Sequence, residues 1–311
     1  MARRIIYLNP PGLCYNVSMR LGAFELNEPV PELKEPHALA ILNPWIDAGS
    51  VGTLTLAWLE EHFQAKELAR IVRPGNFFDF TRYRPTSLFK EGRREIIVPN
   101  TYITYAQQPA GNDFLFLHLL EPHSHSDVYV ESISRLLARF GVTRYYLIGS
   151  MYDYVPHTRP LIVTGGAVGR RVTQEAERLG VVSSNYQGPT TVLSLVTQRA
   201  PEMGMETMSL IVHLPQYTQL DEDYTGAVRL MEMLGLLYGI PGDEAYYGKA
   251  REQLDEVNRA LDKNPQLKAI VREIEANYEE RLTTRREEPP PRLSPEVEKF
   301  LSDMEKRFRE N

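Results

Sequence analysis

The chain has 311 residues, 42% of them hydrophobic and 24% charged, with 35 basic and 41 acidic side chains and a formal net charge of −6. That balance is ordinary for a globular protein and argues against a general nucleic-acid binder, which needs a basic face. The lone cysteine, Cys14, excludes an internal disulfide and a Cys-rich zinc site, and no apolar run approaches the roughly 20 residues of a membrane span. A cytoplasmic protein with no need of a cofactor, of nucleic acid or of a membrane is the expectation, since a reducing compartment suits the cysteine count and the N-terminus lacks a signal-peptide core.

Residues 1–242 are expected to form one α/β core domain. His37–Asn43 (HALAILN) is a short apolar run that stops at Pro44 and predicts a strand. Val51–Phe63 has helical spacing, with Leu54, Trp58 and Leu59 on one side. Glu95–Val98 and Tyr102–Ala106 predict strands paired around Pro99-Asn100. Phe114–Leu120 is nearly continuous in apolar residues, as in a strand buried on both faces of a sheet. Asp127–Phe140 predicts a helix with Val130, Ile133, Leu137 and Phe140 as its stripe, and Tyr145–Ile148 a strand closed by Gly149. Val168–Leu179 predicts a helix, Met208–Leu214 a core strand, and Tyr224–Tyr238 a helix stopped at Gly239. Alternation of this kind implies a mixed sheet with helices on both faces, a three-layer α/β architecture.

Beyond Gly242 the chain is charged, with narrow apolar stripes. Leu254, Val257 and Leu261, then Leu267, Ile270, Val271, Ile274 and Tyr278, predict a helical hairpin over 243–282 turning at Asn264-Pro265. Residues 283–293 carry three consecutive prolines and predict an extended linker. Ser294-Pro295-Glu296 then opens a tethered terminal amphipathic helix over 294–311, with Val297, Phe300, Leu301, Met304 and Phe308 as its apolar stripe. That stripe is a candidate interface for a partner or a sister subunit. The segment from Thr284 to Asn311 holds seven basic and seven acidic residues, so it is no basic arm.

Several loops carry candidate chemistry. Glu121-Pro122-His123-Ser124-His125 follows a buried strand directly, where ligands of α/β sheets bind. His123 and His125 are weak metal candidates without an evident third ligand; the competing reading is a solvated loop with His125 capping the next helix. Val155-Pro156-His157-Thr158-Arg159-Pro160 could present His157 as acid or base and Arg159 as an anion clamp, or serve packing. Asp47, Gly49 and Ser50 stand where a strand passes into a helix and could meet an anion, although an N-cap role explains them better. Asp47, Gly49, Ser50, Glu121, His123, His157, Thr158 and Arg159 therefore form the candidate pocket. Phe78, Arg82 and Arg84, within an aromatic and arginine-rich stretch, are candidate interface anchors.

In order along the chain, Trp45-Ile46-Asp47-Ala48-Gly49, Phe78-Asp79-Phe80 with Arg84-Pro85, Glu121-Pro122-His123, the 155–160 segment, Tyr186-Gln187-Gly188-Pro189-Thr190 and His213-Leu214-Pro215-Gln216-Tyr217 resemble the proteasome-assembly-chaperone family of the second-subunit type. The resemblance spans about residues 39–240. It implies a phosphorylase/hydrolase-like core, a homo-oligomer (a trimer as the first expectation) and a chaperone or scaffold role; that core is shared with nucleoside-processing enzymes and peptidyl-tRNA hydrolases, so it does not by itself decide catalysis. It leaves one rival, a nucleoside-like hydrolase or ligand sensor built on the candidate pocket. Members that dock on proteasome rings can end in a hydrophobic residue, Tyr and any residue. This sequence ends Phe308-Arg309-Glu310-Asn311, without that pattern, so docking by that route is not expected.

Overall fold

The computed structural model describes residues 19–90 and 92–283. The expected linker and terminal helix, with Val297, Phe300, Leu301, Met304 and Phe308, and Cys14 as well, lie outside the described residues. In chain order the strands up to the first long helix are β1 (Met19–Leu21), β2 (Phe24–Leu26) and β3 (His37–Asn43), followed by α1 (Val51–His62). Then come β4 (Lys66–Ile71), β5 (Thr86–Lys90), β6 (Arg93–Ile97), β7 (Tyr102–Ala106), β8 (Phe114–Leu120), α2 (Ser126–Arg139) and β9 (Arg144–Asp153). The remainder is β10 (Val163–Gly165), β11 (Ala167–Val168), α3 (Arg170–Arg178), β12 (Val182–Ser183), α4 (Val192–Arg199), β13 (Glu206–Pro215), α5 (Tyr224–Tyr238), α6 (Glu244–Asp262) and α7 (Pro265–Thr283). The fold is mixed α/β. Among the described residues no helix is long and apolar enough to cross a membrane.

The chain divides into two compact units. The first takes the chain up to Pro44, Leu59–Tyr145 and Thr190–Met205. Its strands lie in the order β1-β2-β4-β7-β8-β3. β3 and β8 run parallel, from His37 opposite Phe114 to Asn43 opposite Leu120, and both are buried almost throughout. Their near-continuous apolar sequences are explained by burial on both faces. Helix α2 buries Tyr129, Val130, Ile133, Leu136 and Leu137 and packs against α4. β5 and β6 pair only with each other, as a separate two-stranded sheet.

The second unit takes Trp45–Trp58, Tyr146–Pro189 and the chain from Glu206 onward. Its strands run β9-β13-β10-β12, with β11 also on β13. β13 is antiparallel to β10 and β11, whereas β10 and β12 are parallel. Helix α5 packs on β13 and on α6, and α6 on α7. Leu261, Ile270, Val271 and Ile274 of the α6–α7 pair close a core around Tyr217, with Tyr154, Val257 and Leu267 against it. Asp243 caps α6 by accepting the amides of Ala245 and Tyr246.

Four expectations change. Strands 95–98 and 102–106 do not pair with each other: β6 folds back on β5, while β7 lies between β4 and β8. The reason is local. The Asn100 side chain donates to the Ile71 carbonyl (2.9 Å) and the Ile71 amide to the Thr101 carbonyl (3.2 Å), so the Pro99-Asn100 segment is tied to β4. Gly149 does not close its strand, and β9 continues to Asp153. A Cβ at Gly149 would stand 2.1 Å from the Ile46 carbonyl oxygen, so this glycine allows close approach and is no stop signal. Helix α3 starts only at Arg170, because Gly169 ahead of it has φ 126°, and Val168 is strand. In α1 the buried set is Val51, Thr55, Leu56, Trp58 and Leu59, with Leu54 only half-buried, so the stripe is wider and rotated.

Candidate functional site

In the first unit, the parallel register of β3 and β8 ends both strands together and puts Glu121 at their carboxyl ends. The Glu121 amide donates to the Asn43 carbonyl (3.1 Å), and its half-buried carboxylate accepts the Val192 amide (3.0 Å). This carboxylate satisfies a free N–H at the start of α4, where Thr191 makes no side-chain cap. Burial raises the Glu121 carboxyl pKa above the ordinary value, against the opposing pull of the Val192 hydrogen bond. Tyr83 donates its hydroxyl to the Glu121 carbonyl (3.1 Å), and its ring meets His123 edge-on at 4.7 Å.

His123 is exposed, and its Nδ1 accepts the Asp79 amide (3.2 Å). His125 takes the N-cap position of α2 in a left-handed conformation (φ 54°) without capping through its side chain; its Nδ1 lies 2.9 Å from the Asn76 carbonyl. Both imidazoles thus hold the 76–79 segment against the strand end. Among the described residues, no three His, Cys, Asp or Glu side chains gather in metal-binding geometry. Phe78 is 2% exposed, wedged between Tyr83 (5.9 Å) and Tyr129 (6.1 Å), so, against expectation, it is a core residue of this loop and not a surface anchor. Arg82 and Arg84 are exposed, Arg82 lying 4.0 Å from Asp79.

In the second unit, Asp47 is a buried cap. Its Oδ1 accepts the Gly52 amide (2.6 Å) and its Oδ2 accepts the Thr53 hydroxyl (2.6 Å). Gly49 has φ 57° and a Cβ there would fall 2.7 Å from the Asp223 Cβ, so only glycine fits without movement. The Ser50 hydroxyl donates to the Asp221 carbonyl (2.9 Å).

The 155–160 loop is a clamp for the α6–α7 pair. Tyr217 receives the His157 amide (2.8 Å) on its hydroxyl, which donates in turn to His157 Nδ1 (2.7 Å). With Nδ1 an acceptor, Nε2 carries the proton toward Asn258 Oδ1 on α6 (3.1 Å). Thr158 donates to Glu275 on α7, and Tyr278 of α7 donates to the Pro160 carbonyl (2.7 Å). Val155 and Ile162 pack around Tyr278. Arg159 is exposed. Asp47, Gly49, Ser50, His157, Thr158 and Arg159 thus lie in the second unit, whereas Glu121 and His123 lie in the first.

Sequence reasoning missed the β5–β6 hairpin. Every residue of β5 is exposed, and every residue of β6 is exposed or half-buried. Phe89 is 74% exposed, Ile96 49% and Leu88 40%. Phe89 stands opposite Arg94, and Ile96 opposite Ser87, so Phe89 and Ile96 are diagonal neighbours on one face. Over residues 90–95, Lys90, Arg93 and Arg94 outnumber Glu91 and Glu95. A signal was present: strand-like runs on both sides of Gly92, which adopts φ 76° in the turn.

The chain is similar in fold to a protein of unknown function from Corynebacterium glutamicum: 19% identity, 85% of this chain against 100% of that one, TM-score 0.74. A Mycobacterium tuberculosis protein of unknown function matches at 23% identity over 84% and 90% of the two chains, TM-score 0.72. A proteasome-assembly-chaperone homologue, also from Mycobacterium tuberculosis, matches at 19% identity over 75% and 99%, TM-score 0.66. No curated protein matches the chain. The PAC2 family model matches residues 41–264, which takes in every loop motif singled out above, and the chain belongs to the PAC2 family.

Proposed function

We propose that this chain is a homo-oligomeric assembly-chaperone-like or scaffold protein, that its partners are proteins, and that proteasome subunits are the first to test. The observation that carries this reading is the β5–β6 hairpin. It holds Phe89, Leu88 and Ile96 out in solvent beside Lys90, Arg93 and Arg94. A lone two-stranded hairpin is marginal in water, and exposed aromatic and arginine side chains are typical of interface anchors. Membership in the PAC2 family and the fold shared with a proteasome-assembly-chaperone homologue support the same reading. So does the bonding of the candidate pocket residues: Asp47, Glu121, His123 and His157 each hold a segment of the fold.

The experiment is a binding titration of the full chain against purified proteasome core subunits from the source organism, with the mass of the free chain measured by light scattering. The reading expects an oligomer and a complex that Phe89→Ser with Ile96→Ser weakens at least tenfold while the thermal transition stays in place. A monomeric chain that binds no subunit would sink it.

A further inference from the structure

Three polar side chains of the second unit, none of them in the candidate pocket, form one linear chain. Asp153 ends β9, His213 lies near the end of β13, and Thr164 lies in β10. His213 Nδ1 is 2.7 Å from Asp153 Oδ2, and His213 Nε2 is 2.8 Å from the Thr164 hydroxyl. An ionised carboxylate can only accept, so Nδ1 carries the proton and Nε2 is left as the acceptor of the Thr164 hydroxyl proton. The Tyr154 amide donates to the other oxygen, Asp153 Oδ1 (2.7 Å), and fixes the carboxylate plane. His213 is 8% exposed, which shields the relay from water, while Thr164 is half-buried and keeps some open surface.

The surroundings fit. Asp153 and His213 stand at carboxyl ends of strands, where α/β sheets place ligands. Gly165 and Gly166 follow Thr164 and offer no side chain to shield it, and the position of a Cβ on Gly166 is open space. Hydroxyl, imidazole and carboxylate in this order, each within hydrogen-bond reach, are the parts of an activated nucleophile.

We propose that Thr164, His213 and Asp153 form a nucleophile, base and orienting group for acyl transfer from a carboxylic ester. Thr164 Oγ1 attacks the ester carbonyl carbon while His213 Nε2 takes the hydroxyl proton. The bond from carbonyl carbon to alkoxy oxygen breaks, and the departing oxygen takes that proton to leave as an alcohol. Water then attacks the acyl-threonine, passing one proton through His213 to Thr164 Oγ1, and a carboxylic acid leaves. Thr164 and His213 are the catalytic residues and Asp153 a positioning residue. The site is independent of the hairpin and of the assembly reading.

The test treats the full-length chain with a fluorophosphonate and, separately, with p-nitrophenyl acetate, and maps the adduct by peptide mass. The expected result is one adduct on Thr164, absent in Thr164→Val, whose shape matches threonine. Thr164→Ser should retain or exceed wild-type labelling. His213→Gln should lower ester turnover at least tenfold. Asp153→Asn should lower kcat similarly with KM unchanged, and Asp153→Glu should restore part of that loss. Thermal melts run beside each variant. A purely structural cluster would shift the melts, leave the wild type unlabelled and show no Thr164-dependent turnover. That result, or an adduct elsewhere that persists in Thr164→Val, would overturn the proposal.

Discussion

Replacing Tyr217 with Phe removes one oxygen atom and little else. The ring is 7% exposed and remains packed against Leu261, Ile270, Val271 and Ile274. What is lost is the hydroxyl that receives the His157 amide at 2.8 Å and donates to His157 Nδ1 at 2.7 Å. Burial holds that phenol well above its ordinary pKa, so it is neutral and can donate at any physiological pH. Two net hydrogen bonds at about 1 kcal/mol each, with part of the cost of a stranded amide, give roughly 2–3 kcal/mol. The loss falls on the clamp between the 155–160 loop and the α6–α7 pair. Hydrogen exchange reads such local opening directly, and amides of α6 and α7 should exchange roughly 30- to 150-fold faster in Tyr217→Phe. Strands β3 and β8 of the other unit should be unaffected. If α6 and α7 exchange changes by less than about threefold, the clamp contributes little and the reading of this loop is wrong.

The other predictions concern single sites. Gly49→Ala forces a side chain into left-handed backbone and against Asp223 (2.7 Å), and should cost about 2 kcal/mol or more in urea unfolding; Gly180→Ala, at φ 71° with open space around it, reports the backbone strain alone and should cost less. His37 is buried beside Arg144, and desolvation first, then that charge, lowers its pKa from 6.5 to about 4. The fold therefore binds fewer protons than the unfolded chain. Stability present above pH 6.5 is lost as pH falls toward 4, by roughly 3 kcal/mol, and His37→Gln should flatten that loss in a pH series of urea midpoints. Glu121 titrates the opposite way. Its pKa is raised by burial, so its stabilising contribution is complete below the ordinary 4.5 and fades as pH rises through the higher folded value. Glu121→Gln, which still accepts the Val192 amide, should remove that slope, and an unchanged slope in the variant would contradict the assignment.

Much of the fold was legible because burial leaves a direct trace. The runs 37–43 and 114–120 are apolar at almost every position, and both are strands buried on two faces. Helix α5 is bounded by Asp223, which accepts the Gly226 amide, and by Gly239 at φ 69°, and those signals are local. The failures are nonlocal. Nothing near Pro99-Asn100 says that Asn100 will bind Ile71, 29 positions away, so the local turn signal points to the wrong partner for β6. Gly149 carried the letter of a stop signal, but the oxygen it makes room for belongs to Ile46. The candidate residues were found by their position after strands, which the sequence does encode. Their partners, Val192 for Glu121 and Tyr217 for His157, lie 71 and 60 positions away, so their bonding could not be read in advance. The family resemblance, carried by motif order, agrees with the PAC2 match.

The assembly reading stands or falls on the hairpin. Native mass spectrometry of the full chain mixed with proteasome core subunits, wild type beside the Phe89→Ser, Ile96→Ser double variant, tests it in one measurement. The account predicts a defined complex with the wild type, and a free chain of unchanged oligomeric state with the variant. A complex formed equally well by both would remove the hairpin from the interface, and no complex with either would contradict the assembly role itself.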